Sequence, residues 1–330
     1  MFEAIRANKI KSGVLVFLVA GLLIVLGYVV GYAVSGVAEG AWFGVVLAAG
    51  VWAILAAISY WSGDAVLMKM SNASEVSPED YPQLHNVVEE LSIAAGLPKP
   101  RVFVIRDGSP NAFAAGRSPE HACVAITSGL LEKLNRDELQ GVLAHEMSHV
   151  LNRDVLYMTL LGVMIGAIVL MCDFFLRYLW IGGGRRGRRS RRGGGGGQAQ
   201  AIFLVVGLAM AILAPLVARL LYLATSRRRE FLADANGAVL TRYPEGLARA
   251  LEKIAGDEDP LEIANRATAP MYIVNPLKKR GRSLSGLFST HPPLQERVAI
   301  LRAMGTGMSL GDYQRAWQAV TQRKGRLFRG

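Results

Sequence analysis

The sequence predicts a predominantly helical α+β fold in an integral membrane protein with two apolar hairpins. Three observations carry this expectation. Two long stretches near the N-terminus, residues 12–38 and 40–63, contain no charged residue. The segment that follows has a soluble composition, with short strand-like runs set between helical patterns. A second pair of apolar stretches, 155–172 and 199–218, then interrupts the soluble sequence. These runs concentrate the apolar residues that lift the hydrophobic content of the 330 residues to 52%, so the excess points to membrane helices rather than to an unusually apolar core.

Each uncharged N-terminal stretch exceeds the roughly 20 residues that a helix needs to cross a bilayer. The loop between them, around Glu39, is too short to be a domain, so the pair forms a hairpin. Arg6, Lys9 and Lys11 precede the first span. The positive-inside rule therefore puts the N-terminus in the cytoplasm and returns the chain there by about Asp64. The first span is too long for a signal-peptide core and no A-x-A-like site follows it, so it is expected to be an uncleaved anchor. Gly27 and Gly31 form a G-x-x-x-G, either a helix-packing face or a chance spacing of common membrane glycines.

Residues 77–97 begin Ser-Pro-Glu-Asp and place Leu84, Val87, Val88 and Leu91 on one face, which predicts an amphipathic helix ending at Gly96. "RVFVI" (101–105), "NAFAAG" and "HACVAIT" are strand candidates, the last two separated by the turn "GRSPE". Asn135 with Glu138 three positions on resembles a capping box, so a helix is expected to begin near Arg136.

Between the two later apolar stretches lies "GGGRRGRRSRRGGGGG", residues 182–197, a low-complexity segment expected to be disordered. Two readings of this second hairpin stand. If it spans the membrane, six arginines lie outside, against the positive-inside rule. If it dips into the membrane or packs on protein, they stay inside. Asp173 has a partner within reach in Arg177, and Arg219 can snorkel to the surface. From about residue 227 the chain is again soluble in character and helical by pattern.

The net charge of +11 is concentrated in the arginine patch. No aromatic residues are interleaved there to stack on bases, so nucleic acid is not expected as a partner, whereas anionic lipid headgroups are. Two cysteines, Cys123 and Cys172, support neither a disulfide framework nor a thiolate metal site. A reducing compartment is expected for the soluble part.

The helix predicted from Arg136 carries "AHEMSHVLNRD". His145 and His149, four residues apart, fall on one helical face where both imidazoles can bind one zinc ion. Glu146 sits beside that face, able to reach water at the metal without ligating it, as a general base must. A catalytic zinc needs a third protein ligand and an open position. The pattern H-E-x-x-H-x-x-G-x-x-H fails, because Asn152 and Val155 occupy its last two defined positions. His85, His121 and His291 lack a local partner pattern. Glu230 in "SRRREFLADANGA" is a candidate, with Asp234 at i+4 placed to fix the tautomer of a ligand histidine, but a glutamate on a basic helix is usually just an ion-pairing residue, and spacing alone favours that role.

"AHEMSHVLNRD", "SRRREFLADANGA", "NAFAAG" and "STHPPLQERV", in this order, resemble the HtpX-type membrane zinc endopeptidases, gluzincins related to the CAAX prenyl proteases. The resemblance covers nearly the whole chain. It implies a gluzincin-like zinc protease domain in which His145, His149 and Glu230 bind one Zn2+ and Glu146 activates water. It implies that Asn111, Ala112 and Phe113 belong to a substrate-binding edge strand, that His291 helps to stabilise the oxyanion, and that Arg297 orients that corner. The implied organisation is a membrane hairpin (1–63), a first protease part (64–154), a second apolar hairpin (155–224) and a second protease part (225–330). The implied activity is zinc-dependent hydrolysis of peptide bonds in membrane or misfolded proteins, in quality control and stress response. The implied place is the cytoplasmic face of a bacterial or archaeal plasma membrane, with a multi-pass anchor. Imidazole and carboxylate ligands suit zinc best, with cobalt and manganese as alternatives. The competing readings are a prenyl-dependent CAAX protease, which would enclose its site in more membrane helices, and a zinc-stabilised scaffold without catalysis.

Overall fold

The computed structural model describes residues 2–168, 227–257, 259, 261, 268–274 and 292–327. The Arg/Gly segment 182–197, the apolar stretch 199–218, Asp173, Arg177, Arg219 and His291 lie outside the described residues.

Two long helices open the chain, α1 (Phe2–Ser35) and α2 (Ala38–Trp61), and both are long and apolar enough to cross a membrane. Phe17, Trp42, Phe43 and Val46 face outward on them, an arrangement that lipid stabilises and water would not. Gly27 and Gly31 face Gly44 and Gly40 so closely that a Cβ on either would run into the opposing carbonyl. The G-x-x-x-G is therefore the packing face of the hairpin itself.

A short helix α3 (Gly63–Met70) leads into β1 (Ala73–Glu75) and then α4 (Pro82–Ala95). The sequence expectation of a helical start near Ser77 is corrected here. The Ser77 hydroxyl accepts from the Asp80 amide in a separate turn, and Pro82 at the first helical position keeps Tyr81 out of the helical region (φ −132°, ψ 62°). Gly96 ends the helix in the left-handed conformation, φ 63°.

The expected strands form as β2 (Arg101–Ile105), β3 (Ala112–Gly116) and β4 (Ala122–Thr127), in the order β1-β2-β4-β3. β2 and β4 run parallel while the outer pairs are antiparallel, which leaves β3 on an edge. Val102, Val104, Val124 and Ile126 join one cluster with α4 and the helices below, and Phe103, Ile105, Phe113 and Cys123 join another with Leu67, Met68 and Tyr272. Both faces of the sheet are thus covered, and its central strands bury every side chain of β4.

After α5 (Ser128–Lys133) come α6 (Arg136–Leu151) and α7 (Val155–Leu160), the latter continuing through a π-turn at Leu161–Ile165. The chain turns by 89° between α6 and α7. Tyr157, Leu160 and Met164 then pack against Leu15, Val19 and Leu23 of α1, so α7 joins the membrane hairpin. The remaining helices are α8 (Arg227–Thr241), α9 (Pro244–Gly256), α10 (Leu294–Ala303) and α11 (Leu310–Thr321). Residues from Leu84 to Leu327 contribute to a single cluster around α6, so the soluble segments before and after the second apolar region share one core.

Candidate metal centre

The centre begins with the start of α6. Asn135 accepts from the Glu138 amide while Glu138 accepts from the Asn135 amide, each at 2.9 Å, which closes the capping box and sets the helical phase of His145 and His149. Their rings lie one turn apart, with centroids 5.0 Å from each other. α8 crosses this helix at Gly237, where a Cβ would come within 3.2 Å of the His145 amide nitrogen. The close approach carries Glu230 to the imidazoles. One ligand atom each from His145, His149 and Glu230 lie within 4.8 Å of one another.

The outer nitrogens are already engaged. His145 Nδ1 is 2.9 Å from Asp234 Oδ1, and His149 Nδ1 is 3.1 Å from Asp154 Oδ1. The inner nitrogens are thereby presented to one point. His145 Nε2 is fully buried with no hydrogen-bond partner among the described residues, since Glu230 Oε2 at 3.7 Å is too far to accept from it. Glu146 Oε1 is buried and unpaired in the same way. A polar network complete in itself would have satisfied both atoms, so the donor set fits a cation held between two imidazoles and a carboxylate.

The electrostatics follow from these partners. Burial alone would lower the His149 imidazole, but the Asp154 carboxylate outweighs it and raises the group to about 9. His145 is likewise raised, its desolvation overcome by Asp234 and Glu230. Burial raises the Glu146 carboxyl above the usual range. Asp234 is lowered, because Arg297 outweighs its burial. Arg297 is fully buried and grips that carboxylate with Nη2–Oδ1 at 2.6 Å and Nε–Oδ2 at 2.8 Å.

Asn111, Ala112 and Phe113 are all buried at the start of the edge strand. Ala112 turns its carbonyl away from β4, where it accepts from the Ile273 amide at 3.0 Å. The Asn111 carboxamide donates to the Val274 carbonyl at 2.9 Å, and Phe113 stacks edge-on against Tyr272 with centroids 5.1 Å apart. The chain's own 272–274 segment therefore covers this part of the edge. Ala114, the next outward-facing residue, lines the cavity with His145, Glu146, His149 and Glu230. His85 instead meets the Val76 carbonyl, and His121 lies in a surface turn with Arg117 and Ser118, so neither joins the group.

Sequence reasoning missed Asp154 and Arg229. The available signal was an aspartate five positions after His149, just past the helix end, and an arginine beside Glu230 on α8.

A helix with two imidazoles one turn apart, a carboxylate from a second helix facing them and an edge strand alongside define a metallopeptidase. Residues 78–305 match the model of Peptidase family M48, and the chain belongs to that family. It is 45% identical over 311 residues to the "Protease HtpX homolog" of Dictyoglomus thermophilum, covering 94% of this chain and 97% of that protein. The Pyrococcus furiosus "Protease HtpX homolog" is 43% identical over 304 residues, 91% and 97% of the two chains. Among solved structures, S. mikatae Ste24p matches with a TM-score of 0.45 and 18% identity, over 91% of this chain and 67% of that one. The protein is a membrane-bound metalloendopeptidase that acts on polypeptides.

Proposed function

We propose that the chain is a zinc-dependent endopeptidase working at the cytoplasmic face of a bacterial or archaeal plasma membrane, on membrane proteins and damaged polypeptides. The observation that carries the reading is the convergence of His145, His149 and Glu230 within 4.8 Å, with the buried Glu146 carboxyl beside them. When held by these three side chains, zinc supplies Lewis acidity at the scissile carbonyl and makes water more acidic. Glu146 takes the proton of the attacking water and delivers it to the leaving nitrogen. Asp234 keeps His145 in the tautomer that ligates, with Arg297 holding Asp234 in place. His291 helps to stabilise the oxyanion. The substrate lies extended beside the edge strand at Ala114, next to the reacting atoms, since the 272–274 segment already occupies the edge at Asn111, Ala112 and Phe113.

The orientation is supported from α1. Its basic end carries Arg6, Lys9 and Lys11, and Asn8 in the same turn donates to the Asn152 carbonyl at 3.2 Å, directly after the histidine helix. The site therefore shares a side with the N-terminus, which the positive-inside rule assigns to the cytoplasm. A site held so close to the bilayer meets cytoplasmic loops and tails of membrane proteins first, which suits quality control under stress. The arginine patch at 185–192 adds attraction to anionic headgroups.

The test is metal analysis of the detergent-purified chain together with casein or self-cleavage, with and without chelator. Glu146→Gln is expected to retain one zinc per chain and to lose cleavage by at least about a hundredfold. Cleavage at the wild-type rate by that variant, or insensitivity of the wild type to chelation, would overturn the reading.

A further inference from the structure

We propose that Asp154 is a positioning residue for the metal centre, which orients His149 and ties that ligand to the membrane anchor; this rests on the zinc-site reading above. Asp154 begins α7 and occupies its N-cap position, where an aspartate ordinarily accepts from the helix's first amides. Here it makes no such bond. Both carboxylate oxygens are turned back to His149 instead, at 3.1 and 3.2 Å from Nδ1.

The backbone is built to achieve this. The Asp154 amide donates to the His149 carbonyl at 3.2 Å and the Arg153 amide to the Val150 carbonyl at 3.1 Å, the paired bonds of a Schellman turn. That turn needs a left-handed residue, usually glycine, and Arg153 fills the position with φ 53°. The strain at a non-glycine residue brings Asp154 back over the end of the helix it has just left. With Nδ1 donating to the carboxylate, His149 must turn Nε2 and its lone pair towards Glu230 and His145.

The charge on Asp154 has a counterpart. Arg229 Nε lies 3.6 Å from Oδ2, with its guanidinium 4.9 Å above the Tyr157 ring. The two ligand histidines are thus served by two carboxylate–guanidinium pairs, Asp234–Arg297 behind His145 and Asp154–Arg229 behind His149. They differ in what surrounds them. The first pair is sealed in the soluble core, whereas the second adjoins α1, whose Asn8 holds the Asn152 carbonyl. The orientation of one ligand is in this way set at the junction with the membrane hairpin.

The experiment uses the full chain in detergent, with zinc affinity measured by chelator competition and the cobalt-substituted site read by its absorption spectrum. Wild type, Glu230→Gln, Asp154→Ala and Asp154→Asn are compared, with melting of each metal-free form recorded. Asp154→Ala is expected to weaken zinc about 10–100-fold and to change the cobalt spectrum. Asp154→Asn, which keeps the shape and an acceptor oxygen but not the charge, is expected to melt below wild type without metal, by less than the alanine variant, and to recover part of the affinity. Wild-type affinity and spectrum in both Asp154 variants would overturn the proposal. So would a loss in the alanine variant that merely follows its metal-free melting while the asparagine variant stays wild type. If the alanine variant does not fold, the asparagine variant decides: an unchanged spectrum and affinity refute the role. Unchanged affinity in Glu230→Gln sinks the zinc centre itself, a separate outcome.

Discussion

Arg297 and Asp234 form a bidentate ion pair with neither side chain exposed to solvent, and Asp234 passes the contact on to His145 Nδ1. Two charges removed from water persist only because each satisfies the other. Replacing Arg297 by methionine, which fills similar space, leaves a buried carboxylate uncompensated. Chemical denaturation is expected to show a loss of about 3–5 kcal/mol, accompanied by weaker zinc binding. Unchanged stability would show that water reaches this pair.

Metal loading should depend on pH in a set direction. In the metal-free chain His149 is raised from its ordinary 6.5 to about 9, so near neutrality it holds a proton that a metal must displace. Apparent affinity is expected to weaken by about tenfold per unit as pH falls below 9. The metal-free form runs the opposite way. Stability contributed by protonated His149 is fully present below 6.5 and is lost as pH rises through 9. Melting curves of metal-free and loaded protein between pH 6 and 9.5, the range set by those two values, should therefore diverge as pH rises.

Gly141 lies where α9 crosses α6, and a Cβ there would come 2.6 Å from the Leu247 amide nitrogen. Alanine is the better helix former by about 1 kcal/mol, but the clash is with backbone and cannot be relieved by a side-chain turn. Gly141→Ala is expected to lower stability by about 1–3 kcal/mol on balance. A gain in melting temperature would contradict the packing described for α9.

Asn111 bridges the edge strand to the covering segment through its bond to the Val274 carbonyl, and its Oδ1 accepts from the Ala112 amide at 3.1 Å. Alanine at this position leaves buried groups unsatisfied, at a cost of about 1–3 kcal/mol. Hydrogen exchange resolved by fragment should show faster exchange across 271–274, with little change in α6. Equal protection in the variant would mean that Tyr272 on Phe113 alone holds the segment.

What was legible beforehand follows the range of each interaction. The capping box at Asn135, the i, i+4 pair of His145 and His149, the left-handed end at Gly96 and the uncharged spans 12–38 and 40–63 depend on neighbours within a turn or on bulk apolarity, which composition and period express directly. The start of α4 was misplaced because Ser77 and Pro82 both signal helix initiation, and only the backbone of Tyr81 shows which one prevails. β1 is three residues long, too short for a period to register.

The amino-acid order by itself thus determined the membrane hairpin, the strands and the helix that carries two imidazoles and a carboxylate. It left Glu230 undecided between ligand and surface ion pair, and nothing in it marked Asp154 as a partner of His149. Tertiary structure brings Glu230 to the two imidazoles and Asp154 to His149, through the crossing of α8 over α6 at Gly237 and the left-handed turn at Arg153. Contacts between distant segments depend on how closely two backbones can approach and in which direction each side chain leaves them, and one-dimensional spacing encodes neither.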